Sequence, residues 1–177
     1  MGSASEAEGL RPEEAEEICA LLGDEERQYR RLRRLAWRQS AYLKRRDARR
    51  LEKNAEEWGK YLPAADAARR RREGRLGELA ARWGLPPQKL SAHRLFDRAR
   101  PADGVRLRAA VKRLAETVSE LYRQNGLNAM LARFSLELAG EEADLFRRSV
   151  LEDPAGRYGD DGRRTVADRG CVVQQRA

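Results

Sequence analysis

One histidine and two cysteines are all the imidazole and thiol chemistry this chain of 177 residues carries. His93 has no Cys, His or paired-acid neighbour with metal-ligand spacing, so no metal site is expected and His93 is read as structural. Cys19 and Cys171 sit near opposite ends, which gives no disulfide framework, and both are read as free thiols. There is no Gly-x-x-x-x-Gly-Lys phosphate loop and no Gly-x-Ser-x-Gly elbow. The adjacent acids Glu141-Glu142 and Asp160-Asp161 are poorly placed to converge on one substrate. No catalytic residue and no cofactor is therefore expected. Long apolar runs are missing too: none approaches the roughly 18 residues of a membrane span. The acidic stretch Met1 to Glu17 lacks the basic-then-apolar layout of a signal peptide, so a cytoplasmic protein without membrane insertion is expected.

Charge is abundant. Aromatics make up 6% of residues and charged side chains 37%, a balance that suits exposed helices more than a thick core. The net charge of +8 is unevenly spread: residues 1–26 carry −8, residues 27–113 carry +18 and residues 114–177 carry −2. A basic middle of that size could attract nucleic acid or anionic lipid. A solvated helical surface explains it as well and is favoured, because no Lys/Arg block is interleaved with the aromatics on which bases stack. The run Arg69-Arg70-Arg71-Arg72 fills a helical turn and points in all directions, so it too reads as a solvated face.

Helical periodicity dominates the rest. A long helix is expected over about residues 105–152. Its stripe runs through Leu107, Val111, Leu114, Val118, Leu121, Asn125, Asn128, Ala132, Ser135 and Ala139, in the alternating steps of four and three that mark lengthwise helix packing. At about 1.5 Å per residue it would run on the order of 70 Å, which implies an elongated bundle. A second apolar line follows Leu127, Leu131, Phe134, Leu138, Leu145 and Phe146. A helix apolar on two flanks needs two partners, and one need not belong to the same chain. Asn125 and Asn128 interrupt the first stripe; asparagine at a core position fixes register at a cost in stability.

The expected class is all-α, an elongated antiparallel helical bundle or coiled coil with a disordered C-terminal tail. Residues 1–11 read as a disordered arm, 12–153 as the bundle and 154–177 as a flexible tail. Pro12 and the acids after it open a first helix that the pattern carries to about Leu62. A stutter-like shift of register follows Tyr42-Leu43, and Gly59 and Pro63 weaken the far end. Helix continues over 64–83 and stops at Gly84-Leu85-Pro86-Pro87. Ser91 caps a short helix whose Leu90, Leu95 and Phe96 cover the end of the bundle. Pro101-Ala102-Asp103-Gly104 turns the chain back, and Asp153-Pro154 ends the long helix.

Two C-terminal motifs carry a family resemblance. Leu121-Tyr122-Arg123-Gln124-Asn125-Gly126, with Leu131 after it, and Tyr158-Gly159-Asp160-Asp161-Gly162 resemble the FlgN family of flagellar export chaperones. That family shows Leu-Asn-x-x-Asn-Gly on its last long helix and a Tyr-Gly-x-Asp-Gly tail. Thr165-Val166 and Arg169-Gly170 look like its closing segment. Arg45-Arg46-Asp47 through Leu51-Glu52 and the break at Gly84-Leu85-Pro86 fit more loosely. Tyr122 stands where the family has its first asparagine, and Asn128 is additional.

The resemblance implies a non-enzymatic type III export chaperone. It would bind the C-terminal helices of hook-associated proteins, prevent their premature assembly and target them to the export gate. A guest helix could lie on the second flank of the long helix, with Leu131, Phe134, Leu138, Leu145 and Phe146 as the contacts. Tyr158 would dock on the export gate, while Asn125, Gly126 and Asn128 form a structural motif. Two other readings compete: a basic helical nucleic-acid-binding protein, betrayed by steep salt dependence, and a coiled-coil scaffold with no client.

Overall fold

Proline or a polar N-cap starts each α-helix, and a left-handed residue follows the first two. A computed structural model, which describes residues 9–151, shows α1 (Pro12–Lys44), α2 (Ala48–Arg82), a 3₁₀ turn (Pro87–Lys89), α3 (Ala92–Asp97) and α4 (Pro101–Leu151). No strand occurs among the described residues, and the class is all-α. Pro12 opens α1, and the Glu14 carboxylate reaches back to accept from the Arg11 backbone N–H at 3.0 Å.

The first helix does not reach Leu62. It stops at Lys44, and Arg45 to Asp47 turn the chain round. Arg46 takes the left-handed conformation (φ 52°), and the Asp47 carboxylate caps α2 by accepting from the Arg50 N–H at 3.0 Å. The shift of register after Leu43 is thus a change of helix, not a stutter. Pro63, by contrast, sits inside α2 without ending it. Gly59, whose carbonyl a proline four residues later cannot serve, is exposed, as is Pro63 itself, so water can satisfy the freed acceptor. Gly84 (φ 62°) closes α2, with the Leu85 N–H donating to the Ala80 carbonyl at 2.9 Å. Ser91 caps α3 as the sequence suggests, accepting from the Arg94 N–H at 3.3 Å. Pro101 is the first residue of α4 and not part of a turn before it, a position where its missing N–H has no consequence.

The chain divides into two compact units, Met1–Ala132 and Arg133–Ala177, with the division inside α4. In the first unit α1 and α2 run antiparallel: Arg82 meets Glu14, Arg72 meets Glu25, and Asn54 donates to the Leu35 carbonyl at 3.2 Å. The first part of α4 runs parallel to α1. Arg113 faces Glu26, Glu120 pairs with Arg33, and Asn128 reaches Ala36 and Gln39. The result is an up-down-up three-helix bundle with α3 across one end.

Two apolar clusters hold it. One joins Leu10, Ile18, Leu22, Leu79, Leu95 and Leu107; the other joins Leu32, Leu35, Ala36, Ala65 and Leu121. Leu10 is buried, and its N–H donates to the Arg98 carbonyl at 2.8 Å, which ties the approach to α1 onto the end of α3. Ion pairs fill part of the α1–α2 seam. Glu25, only 2% exposed, receives Arg72, so this arginine of the four-residue run points inward, while Arg69 and Arg70 pair with Asp66 at the surface.

The seam of α4 is a true heptad whose alternate positions differ from the expected stripe. Asp103, Leu107, Ala110, Thr117, Leu121, Gln124 and Asn128 are buried, with Leu114 half-buried between them. Leu107, Leu114, Leu121 and Asn128 are common to both readings. Ala110, Thr117 and Gln124 take the places expected of Val111, Val118 and Asn125, which are half-buried.

Candidate interaction surface on the last helix

Asn128 is a buried amide bonded to two residues of α1 and one of its own helix. It is 3% exposed, donates to the Ala36 carbonyl at 2.7 Å and to Gln39 Oε1 at 2.9 Å, and accepts from Gln124 Nε2 at 3.0 Å. Asn54 of α2 donates to the Leu35 carbonyl, so two amides grip adjacent carbonyls of α1 from different helices. This layer fixes the relative register of α1, α2 and the first part of α4. Gln124 was not singled out from sequence; its place four residues before Asn128 was the available signal. Asn125, the other half of the expected pair, is half-buried beside the seam. Gly126 is exposed, and a Cβ there would meet nothing within 4 Å, so no packing inside the molecule requires glycine.

The five residues expected to contact a guest helix divide between the units. Leu131, in the first, is half-buried. In the second, Phe134, Leu145 and Phe146 are 62%, 64% and 67% exposed, and Leu138 is half-buried. At about 100° per residue, Phe134, Leu138 and Leu145 share one face of α4, and Phe146 lies roughly a quarter turn away. Leu136, on the opposite side, and Met130 and Tyr122, in the first unit, are also strongly exposed and were not among the expected contacts. Isolated exposed leucines are ordinary; a line of phenylalanine and leucine on one short stretch of helix is not.

The first unit holds an apolar concavity of its own. A groove of about 340 Å³ is lined by Leu22, Leu76, Leu90, Val111, Leu114 and Val118, among others, and includes none of the five expected contacts. The valines that the heptad reading assigned to the seam therefore line this groove.

His93 lies on α3 with its side chain 83% exposed, 3.5 Å from Asp97. Burial raises the Cys19 thiol above its ordinary value, against the opposing pull of Arg106 and Arg113. Many arginines of the basic middle are committed to carboxylates: Arg75 contacts Glu17 at 2.7 Å and Glu78 at 2.9 Å, and Arg38 contacts Glu57 at 3.1 Å. Tyr158 lies outside the described residues, as does Cys171.

An all-helical bundle with an uncovered apolar face on its last helix is what a helix-binding escort protein requires. The family model described as FlgN protein matches residues 14–165, which takes in the helices but for the first two residues of α1, and Tyr158. The chain belongs to the FlgN family of flagellar export chaperones. No curated protein and no solved structure matches it. No helix among the described residues is long and apolar enough to cross a membrane.

Proposed function

We propose that this protein is a cytoplasmic chaperone for hook-associated proteins, binding their C-terminal helices, keeping them unassembled and delivering them to the export gate. The observation that carries this reading is the exposure of Phe134, Leu145 and Phe146 on the last helix of a FlgN-family chain. Covering each such side chain is worth about 1.5–3 kcal/mol, which is the driving force an amphipathic guest helix would use. Leu138 shares the face of Phe134 and Leu145, and Leu131 continues the apolar positions one turn earlier. Tyr158 is assigned to the export gate by family likeness. The guest is a protein helix and not nucleic acid, since the basic side chains are widely paired with acids of the same molecule.

The test is binding of a purified hook-associated protein to the chain and to Phe134→Asp and Leu138→Asp. Both variants should lose affinity by about two orders of magnitude, the range of a central contact, with unchanged helical content. Normal binding by both would overturn the assignment of the face. Tyr158→Ala should bind the client normally and reduce its export; undiminished export would remove the docking role.

A further inference from the structure

The second half of α1 carries cations that its own bundle leaves unmatched. Residues 27–46 contain nine basic side chains and no acid. Acids from outside the stretch answer four of them: Asp24, Glu26, Glu120 and Glu57 pair with Arg27, Arg30, Arg33 and Arg38. Arg31 lies 5.8 Å from the centre of the Tyr61 ring. Arg34, Lys44 and Arg45 are exposed and make no ion pair with a described residue. At about 100° per residue these three share the outer side of α1, opposite the buried Leu32 and Leu43, with Trp37 and Ala41 between them. Trp37 is 55% exposed. Across the turn, the exposed Arg49 and Lys53 of α2 add two more cations without an ion pair, beside the exposed acids Glu52 and Glu56.

Cations set round an exposed indole suit one kind of partner. Lysine and arginine gain from the surface potential of an anionic bilayer, and tryptophan is favoured at headgroup level, where its ring is covered and its N–H stays wet. A phosphate backbone would attract the same cations but offer Trp37 nothing to be buried in, and one ring makes no platform for stacked bases. We propose that the outer side of α1 holds the protein on an anionic phospholipid surface, with Arg34, Lys44 and Arg45 at the headgroups and Trp37 between them. This contact goes beyond client capture and does not rest on it, since it uses a different helix from the apolar face.

The experiment uses the full chain and vesicles of phosphatidylcholine, alone or with about one-third phosphatidylglycerol. Binding is read by co-sedimentation and by tryptophan emission. The chain should bind only the anionic vesicles, with a blue-shifted emission, and come off as salt rises. The triple variant Arg34→Gln/Lys44→Gln/Arg45→Gln should bind roughly a hundredfold more weakly, about fivefold for each cation. Arg71→Gln/Lys89→Gln/Arg94→Gln removes the same charge elsewhere and should stay within about fivefold of the parent. Trp37→Ala should weaken binding and abolish the blue shift. All the altered positions are exposed, and unchanged helical content shows that each variant is folded. Absence of binding to the anionic vesicles, equal binding to both compositions, or equal losses in the two triple variants would overturn the proposal. So would a Trp37→Ala variant that behaves as the parent. Displacement of the chain from the vesicles by a DNA duplex of arbitrary sequence, at matched phosphate, would make the surface a nucleic-acid site instead.

Discussion

At the scale of single residues, two buried polar groups do the most to make this bundle specific. Asn128 satisfies both donors and accepts from Gln124, so Asn128→Ala strands a glutamine donor and withdraws the bonds to Ala36 and Gln39. A loss of about 1–3 kcal/mol is expected, read from the denaturant midpoint of unfolding. Glu14 is the second. Burial by itself would raise its pKa, but the bonds from Arg82 and the Arg11 N–H, with the charges of Arg82 and Arg75, outweigh it and hold the carboxyl below its ordinary value. A depressed folded-state pKa stabilises the protein above the unfolded carboxylate value of about 4.3 and is lost as pH falls through that value and below. Stability should therefore fall on acidification below about pH 5, and Glu14→Gln should flatten that part of the profile in a denaturation series across pH. Neither role is written in a residue's identity: Glu14 looked like one more acid complementing a helix start, and its partner Arg82 lies 68 positions away.

At the scale of elements, the limits of the helices were partly legible. The start of α1, the stop at Gly84 and the cap at Ser91 follow from local chemistry that acts within four residues. The α1–α2 turn was missed because its closing residue, Arg46, is not the glycine or asparagine that usually announces a left-handed position. Proline 63 misled in the other direction, since its cost to a helix vanishes from view when the freed carbonyl is at the surface. Two opposite substitutions follow. Arg46→Gly relieves a left-handed arginine, and Gly126→Ala removes an exposed mid-helix glycine that nothing in the molecule crowds. Each should raise stability by about 0.5–1 kcal/mol, seen as a higher melting temperature. A stabilised Gly126→Ala that exports its client poorly would mean that the glycine serves a partner's close approach.

At the scale of the whole molecule, α4 carries two sets of apolar residues, one buried and one exposed. Leu107 is fully buried between helices, while Phe134 is 62% exposed. Leu107→Ala should cost about 2–5 kcal/mol, and Phe134→Ala should stay within about 0.5 kcal/mol of the parent in the same unfolding assay. Similar losses would mean that Phe134 belongs to the core. The sequence by itself determined the helical class, the heptad period of α4, some helix ends and membership of the FlgN family, because these rest on local spacing and short motifs. Only the tertiary structure decided which residue of each adjacent pair faces inward. Val111 and Val118 are the more apolar members of their pairs, yet Ala110 and Thr117 take the seam and the valines line a groove. Hydrophobicity ranks what would gain from burial. Which side of a helix is covered depends on where neighbouring helices lie, and that is set by contacts between residues far apart along the chain.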